Sequence, residues 1–297
     1  MRFKKTVNKC IPQGIYNKVD QLRTVLYWLG FKRERTANVK KLVEVFQKDE
    51  KYTEEIKYLK KYGADYFPYP WAKKHYIWKI KSGGKYSMAG NERYMLHKGK
   101  KLYMKMIPYS QLLMEQNEHS PHCYFSRNFR FEVGDCFVDV GAAEGMISLD
   151  VVEKASKIFL IECNDFWIES LKRTFAPYKE KIQIIRKFVS DVDDEENIRL
   201  DTLLSHVDAP IVLKIDVEGM ERKVLAGANK TLNKETTKVA LCTYHRKQDA
   251  EVFTDMLKNM GYKFEQSEGY MAMVNDSDNP EFRKAMIRAW KEPRVND

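Results

Sequence analysis

The chain has 297 residues, 43% of them hydrophobic, and a formal net charge of +10. That length accommodates two domains, or one large domain with an elaborate cap, and the apolar share is enough for a sizeable core. No apolar run approaches the ~18 residues that span a bilayer, so no transmembrane segment is expected.

In chain order, residues 16–62 read as helices. Val19, Leu22, Val25, Leu26 and Leu29 recur at three- and four-residue intervals up to a stop at Gly30. Val39, Leu42, Val43 and Phe46 make a second periodic run, and Glu54–Tyr62 a third. Then Pro68, Pro70, Gly83, Gly84, Gly90 and Gly99 punctuate short segments, His75–Ile80 and Lys101–Ile107, expected as strands or hairpins. The polar stretch Gln116–Pro121 is the expected boundary. It leaves a basic, mixed helical and hairpin N-terminal region over 1–118 and a second domain over 119–297.

Beyond the boundary, strands and helices alternate. The expected strands are Cys136–Val140, Lys157–Glu162, Ile182–Val189, Ile211–Ile215 and Val239–Tyr244. Helices are expected from the Gly145 turn to about Ala155, over Trp167–Phe175, over Glu221–Ala226 and over Asp249–Met260. This alternation predicts an α/β fold with a parallel, doubly wound sheet. Tyr262–Glu268 and Tyr270–Val274 flank Gly269 and are expected to end the domain as an antiparallel hairpin. Such a hairpin suits the methyltransferase variant of the Rossmann-like plan better than the dehydrogenase one.

Charge divides the same way. Residues 1–125 carry 26 Lys and Arg against 11 Asp and Glu, a balance of +15, and the remainder carries 26 against 31, a balance of −5. The basic half holds the aromatics Tyr66, Phe67, Tyr69, Trp71, Tyr76 and Trp78. Basic residues among aromatics suit nucleic acid, through phosphate contacts and base stacking. They equally suit a carbohydrate or anionic small molecule, or merely a helical face over an aromatic core. The basic start Met1–Thr6 is followed by no apolar run before Asn8 and Lys9, so no secretory signal is expected. The five cysteines, Cys10, Cys123, Cys136, Cys163 and Cys242, show no paired spacing. That suits a cytoplasmic protein with free thiols and speaks against structural zinc.

The first expected strand runs into Asp139-Val140-Gly141-Ala142-Ala143-Glu144-Gly145. Ligands of such sheets bind beyond the carboxyl ends of the strands. A dinucleotide site wants G-x-G-x-x-G, with the pyrophosphate on the helix N-terminus. Here the glycines stand four apart, and Glu144 lies where that pyrophosphate would rest. A carboxylate there repels phosphate and is compatible with the sulfonium and ammonium of S-adenosylmethionine. Glu162, 21 positions after Gly141, is placed to accept hydrogen bonds from a ribose diol, and Ser190-Asp191 to meet an adenine amino group. Strand ends often carry a carboxylate anyway, so each position is weak singly and gains weight in register with the others.

The run Asp139–Gly145, then Val189-Ser190-Asp191, then Leu213-Lys214-Ile215-Asp216-Val217-Glu218-Gly219-Met220-Glu221 and Val224–Ala228, resembles the FkbM-type methyltransferase domain over about Cys123 to Val274. The resemblance implies S-adenosylmethionine as cofactor and methylation of a hydroxyl on a glycan or other small natural product. Asp216 and Glu218 then orient donor and acceptor, one of them as general base; both face the crevice if the strand persists that far. The alternative is that Asp216 caps the next helix while Glu221 forms a surface pair. His245, after the fifth strand, is the expected base, with His119 and His122 as rivals. His122, Tyr124 and Tyr244 are expected beside the acceptor. No metal is assigned, because Tyr244-His245 stands where metal-assisted sugar O-methyltransferases present adjacent carboxylates. The competing functions are an RNA methyltransferase using the basic half, and a non-catalytic binding module of the same fold.

Overall fold

A computed structural model of the chain describes residues 36–63, 65–72, 87–89, 92–103, 109–274 and 280–292. The helix expected through Val19–Leu29 and the strand expected at His75–Ile80 lie outside these residues, as do Cys10, Tyr76 and Trp78. Two compact units separate, one running up to Tyr69 and taking in Ala272–Phe282, the other spanning Pro70–Met271 and resuming at Arg283. Among the described residues, no helix is long and apolar enough to cross a membrane.

In the first unit, residues 36–46 and Thr53–Tyr62 are helical. Their apolar period buries Val39, Leu42, Ile56 and Leu59. Phe282 stacks on Tyr52 with ring centroids 4.6 Å apart, and Asn38 Nδ2 donates to Val274 O at 2.8 Å. This corrects the expected hairpin. Met271–Met273 pairs with Glu281–Arg283, not with the strand before Gly269.

The second unit is built on a seven-stranded sheet: β1 Cys136–Val140, β2 Lys157–Ile161, β3 Ile182–Ile185, β4 Ile211–Ile215, β5 Thr237–Cys242, β6 Lys263–Gln266 and β7 Met286–Trp290. The order across it is β6-β7-β5-β4-β1-β2-β3. Strands β1 to β5 are parallel, and β7 runs antiparallel between β5 and β6. The expected strand Ile182–Val189 is in fact two. It breaks at Arg186-Lys187, and Phe188–Val189 pairs separately with Asn197–Ile198.

Strands β1 and β4 are buried at every residue, as continuous apolar runs in a parallel sheet require. Alternate residues feed two cores. Val138, Val140, Phe159, Ile161, Leu213, Ile215 and Leu241 pack with Val224, Leu225, Phe253 and Leu257. Phe137, Ile158, Leu160, Val212 and Ala240 pack with Leu149, Val151, Leu171 and Phe175. Helices therefore cover both faces, each buried large apolar side chain contributing about 1.5–3 kcal/mol. The hairpin Glu92–His97 and Lys100–Tyr103 turns through Lys98 and Gly99, both at positive φ. It docks on this unit: Thr174 Oγ1 accepts from Tyr103 N–H at 3.0 Å, and His97 Nε2 lies 2.6 Å from Asp150 Oδ1. The packing boundary near Tyr69 and the charge boundary near 118 are thus different lines.

Gly227, just past the helix Glu221–Ala226, sits against the edge that carries Ser190. A Cβ there would lie 2.0 Å from Ser190 O and 2.9 Å from its carbonyl carbon. Backbone has to give way, at a cost of about 1–3 kcal/mol. Gly227→Ala is expected to lower the thermal midpoint by several degrees in a calorimetric scan. An unchanged midpoint would show that this contact is not tight.

Candidate active site

The parallel register levels the strand ends. Val140 pairs with Ile161 on one side and Ile215 on the other, and Ile215 pairs with Leu241. Gly141, Glu162, Asp216 and Cys242 therefore emerge side by side. The chain runs outward from β1 to β3 and then returns to β4 on the opposite side of β1, so the crevice opens between β1 and β4.

The loop after β1 closes tightly. Gly141 and Gly145 have φ 77°, and Ala143 between them has φ 45°. A Cβ on Gly141 would lie 1.9 Å from Asp216 O, so only glycine fits. Ala143 holds a left-handed conformation worth about 1–2 kcal/mol of strain. Glu162 anchors it: Oε2 accepts from Ala143 N–H at 3.0 Å and Oε1 from Asn164 N–H at 2.8 Å. Lys214 anchors it from beneath, with Nζ 2.9 Å from Asp139 Oδ1 and donating to Gly141 O. Ser148 Oγ donates to Asp139 Oδ2 at 2.6 Å. Asp139, expected to touch the cofactor, is instead buried and spent on this network. Lys214 was not anticipated as part of the site. Its signal was there: a lysine inside an apolar strand, in register with the only charged residue of β1.

Asp216 is the centre of the crevice. Tyr124 Oη donates to Oδ2 at 2.7 Å and Tyr244 Oη to Oδ1 at 3.2 Å. His122 Nε2 lies 3.5 Å from Oδ2, and His245 Nε2 lies 3.6 Å from Oδ1. Burial works to raise the Asp216 carboxyl pKa, but His122, Lys214 and His245 together hold it well below the usual carboxylate range. Burial and Asp216 push both tyrosines well up, so they stay protonated donors. His119, by contrast, is exposed and pairs with Glu118.

Three expectations change here. Strand β4 ends at Ile215 and Glu218 turns at φ 52°, so its side chain is 91% exposed instead of sharing a face with Asp216. Glu221 forms no surface pair: it is buried, and Oε1 accepts from Val217 and Gly219 N–H at 3.1 and 3.3 Å. Nor does Asp216 cap the next helix, whose N-cap is Met220 with no side-chain bond. His245 is the third. Burial lowers its pKa, yet Glu218, Glu221 and Asp216 push it up to about 10. An imidazole held protonated by neighbouring carboxylates is not a free base. At the adenine side, Ser190 is buried and donates to Asp191 Oδ1 at 3.0 Å, while Asp191 is exposed. This pair follows the short strand Phe188–Val189, not β3.

Glu144 is buried, and desolvation pushes its carboxyl up to about 7. It is therefore not the constant negative charge that its position in the turn implied. Between its ordinary value and 7, the folded protein keeps a proton that the unfolded chain has released. Stability from this group is greatest at acid pH and falls as pH rises through 7. At about 1.4 kcal/mol per pH unit, the penalty approaches roughly 3 kcal/mol in base. Glu144→Gln is expected to match the wild type in urea unfolding at pH 4.5 and to exceed it at pH 8. An equal difference at both pH values would contradict this.

Among known proteins, the chain matches the profile of the methyltransferase FkbM domain over residues 99–270. No curated protein sequence matches it significantly. Its structure is similar to methyltransferase FkbM from Methylobacillus flagellatus KT, at 20% identity and a TM-score of 0.46, covering 56% of this chain and 46% of that one. This chain thus spans less than half of that protein. It is also similar to precorrin-6y C5,15-methyltransferase from Geobacter metallireducens GS-15, at 16% identity, TM-score 0.40, and 55% and 83% coverage. An rRNA methylase from Streptococcus thermophilus aligns at 13% identity, TM-score 0.39, and 55% and 89% coverage. Likeness at these levels bears on nothing beyond the fold. The family profile covers more than half of the chain and the residues of the crevice from Gly141 to His245, and on that match the chain belongs to the FkbM methyltransferase family.

Proposed function

We propose that the chain methylates a hydroxyl oxygen of a glycan or other small acceptor, with S-adenosylmethionine as donor. The observation that carries this reading is the Asp216 cluster, a buried-edge carboxylate bridged by two tyrosine hydroxyls and flanked by two imidazoles. The neighbouring loop fits the donor. Glu162 accepts one backbone N–H on each oxygen, and a carboxylate has capacity beyond those two bonds for a ribose hydroxyl. Exposed Asp191 is available to an adenine amino group, and Glu144, once ionised, is assigned to the donor's ammonium. When bound, the donor supplies a methyl group already activated on sulfur.

The chain's own residues then position and deprotonate. His122 faces a single carboxylate where His245 faces three, and its Nδ1 is buried without a hydrogen bond. His122 takes the acceptor's hydroxyl proton, with Asp216, beside Nε2, stabilising the imidazolium that forms. With the donor held there, the acceptor oxygen would form the new C–O bond as the S–CH3 bond broke, so the leaving group would be a neutral thioether. Positioning carries most of the rate enhancement, because the leaving group needs no help.

Asp216→Asn is expected to cut transfer of labelled methyl at least 100-fold while changing donor affinity less than tenfold; a loss of affinity alone would move Asp216 out of the reaction. Glu162→Gln is expected to weaken donor binding 10- to 100-fold, matching about 1.5–3 kcal/mol for a charged hydrogen bond. An unaltered dissociation constant in the folded variant removes Glu162 from the ribose site. A neutral acceptor's KM should change little between 50 and 200 mM salt. A steep rise would favour RNA.

A further inference from the structure

We propose that Asp216, Glu221 and His245 hold a divalent transition-metal cation beside the acceptor position. One donor atom from each lies within 4.8 Å of the other two. Donors on opposite sides of an ion at about 2.1 Å are about 4.2 Å apart, so small side-chain adjustments close this set. Independent support comes from unspent buried groups. The Glu221 side chain is 0% exposed, and while Oε1 accepts two backbone N–H groups, its equally buried Oε2 accepts none. The His245 side chain is 9% exposed, and neither ring nitrogen makes an aligned hydrogen bond, although Nδ1 lies 2.8 Å from Glu221 Oε1. A buried carboxylate oxygen left unsatisfied keeps its full desolvation penalty, which a cation at this point removes.

The donor chemistry narrows the ion. Two carboxylates and an imidazole suit manganese or zinc better than calcium. The exposed carboxylate of Glu218, 3.5 Å from His245 Nε2, can complete the shell from the solvent side. The rival set of His122, Asp216 and Cys242 is weaker, because the Cys242 thiol is buried and pushed well up, and Tyr124 holds Asp216 Oδ2 at 2.7 Å where Tyr244 reaches Oδ1 only at 3.2 Å. The use of the site rests on the hydroxyl-methylation reading: a remaining coordination position polarises the acceptor oxygen and lowers the pKa of its hydroxyl. The binding itself does not depend on that reading.

The test titrates the full chain with Mn2+ and follows bound ion by electron paramagnetic resonance, with Zn2+ calorimetry alongside. One ion per chain is expected, with affinity at least tenfold lower in His245→Ala and Asp216→Asn and unchanged in Cys242→Ser. Mn2+ should also raise the thermal midpoint of the wild type in a concentration-dependent way. That measurement stands even where a variant fails to fold. No stoichiometric binding and no stabilisation of the wild type would overturn the site. So would affinity retained in His245→Ala but lost in Cys242→Ser. Donor binding without metal binding sinks this inference alone, and metal binding without donor binding sinks only the methyl-transfer reading.

Discussion

The buried ion pair between Asp139 and Lys214 ties the second unit together. These two residues face each other across adjacent parallel strands at the point where the strand order reverses. A buried charge without a partner costs several kcal/mol, so removing either one strands the other at about 3–5 kcal/mol. The same ammonium reaches Gly141 O and lies over the Tyr124 ring, 5.4 Å from its centroid. One side chain thus fixes the height of the glycine loop, the register of β1 against β4, and the aromatic wall beside Asp216. Gly141 packs against the Asp216 carbonyl without room for a methyl group, which locks the two halves of the crevice together.

From that constraint the division of labour among the carboxylates follows. Asp139 is structural because it neutralises Lys214. Glu162 shapes the strained loop by accepting from the Ala143 and Asn164 N–H groups. Asp216 stays ionised because two histidines and Lys214 surround it. Glu144, whose burial outweighs the pull of Lys214, is the carboxylate pushed up to about 7. Four acidic residues along one sheet edge therefore serve four different ends, set by what each one touches.

The strands with continuous apolar runs were legible in the sequence because burial on both faces leaves no other pattern: Cys136–Val140 and Ile211–Ile215 appear where periodicity placed them. Strand β7 was missed. Its Arg288 reads as a surface residue, yet the guanidinium is buried, donating to Cys123 O and Glu265 Oε1, partners 165 and 23 positions away. The hairpin was mispaired for a related reason, since the partner of β6 lies in sequence beyond Ala272–Phe282, a segment that belongs to the first unit. At the site, strand-end residues such as Glu162 and Asp216 were legible from topology. The charge states of His245 and Glu144 were not, because they depend on desolvation and on carboxylates brought close by folding. Glu221 was misjudged as a surface residue because helix starts are usually exposed; here its carboxylate turns inward to satisfy Val217 and Gly219.

The central claim is that the edge formed by Gly141, Glu162 and Asp216 is a pocket for a cationic methyl donor and not for a dinucleotide. Calorimetric titration of the full chain at pH 8, where Glu144 is largely ionised, separates the two directly. S-adenosylmethionine is expected to bind at one site per chain, with no heat from NAD. Tight NAD binding with no heat from the methyl donor would contradict it.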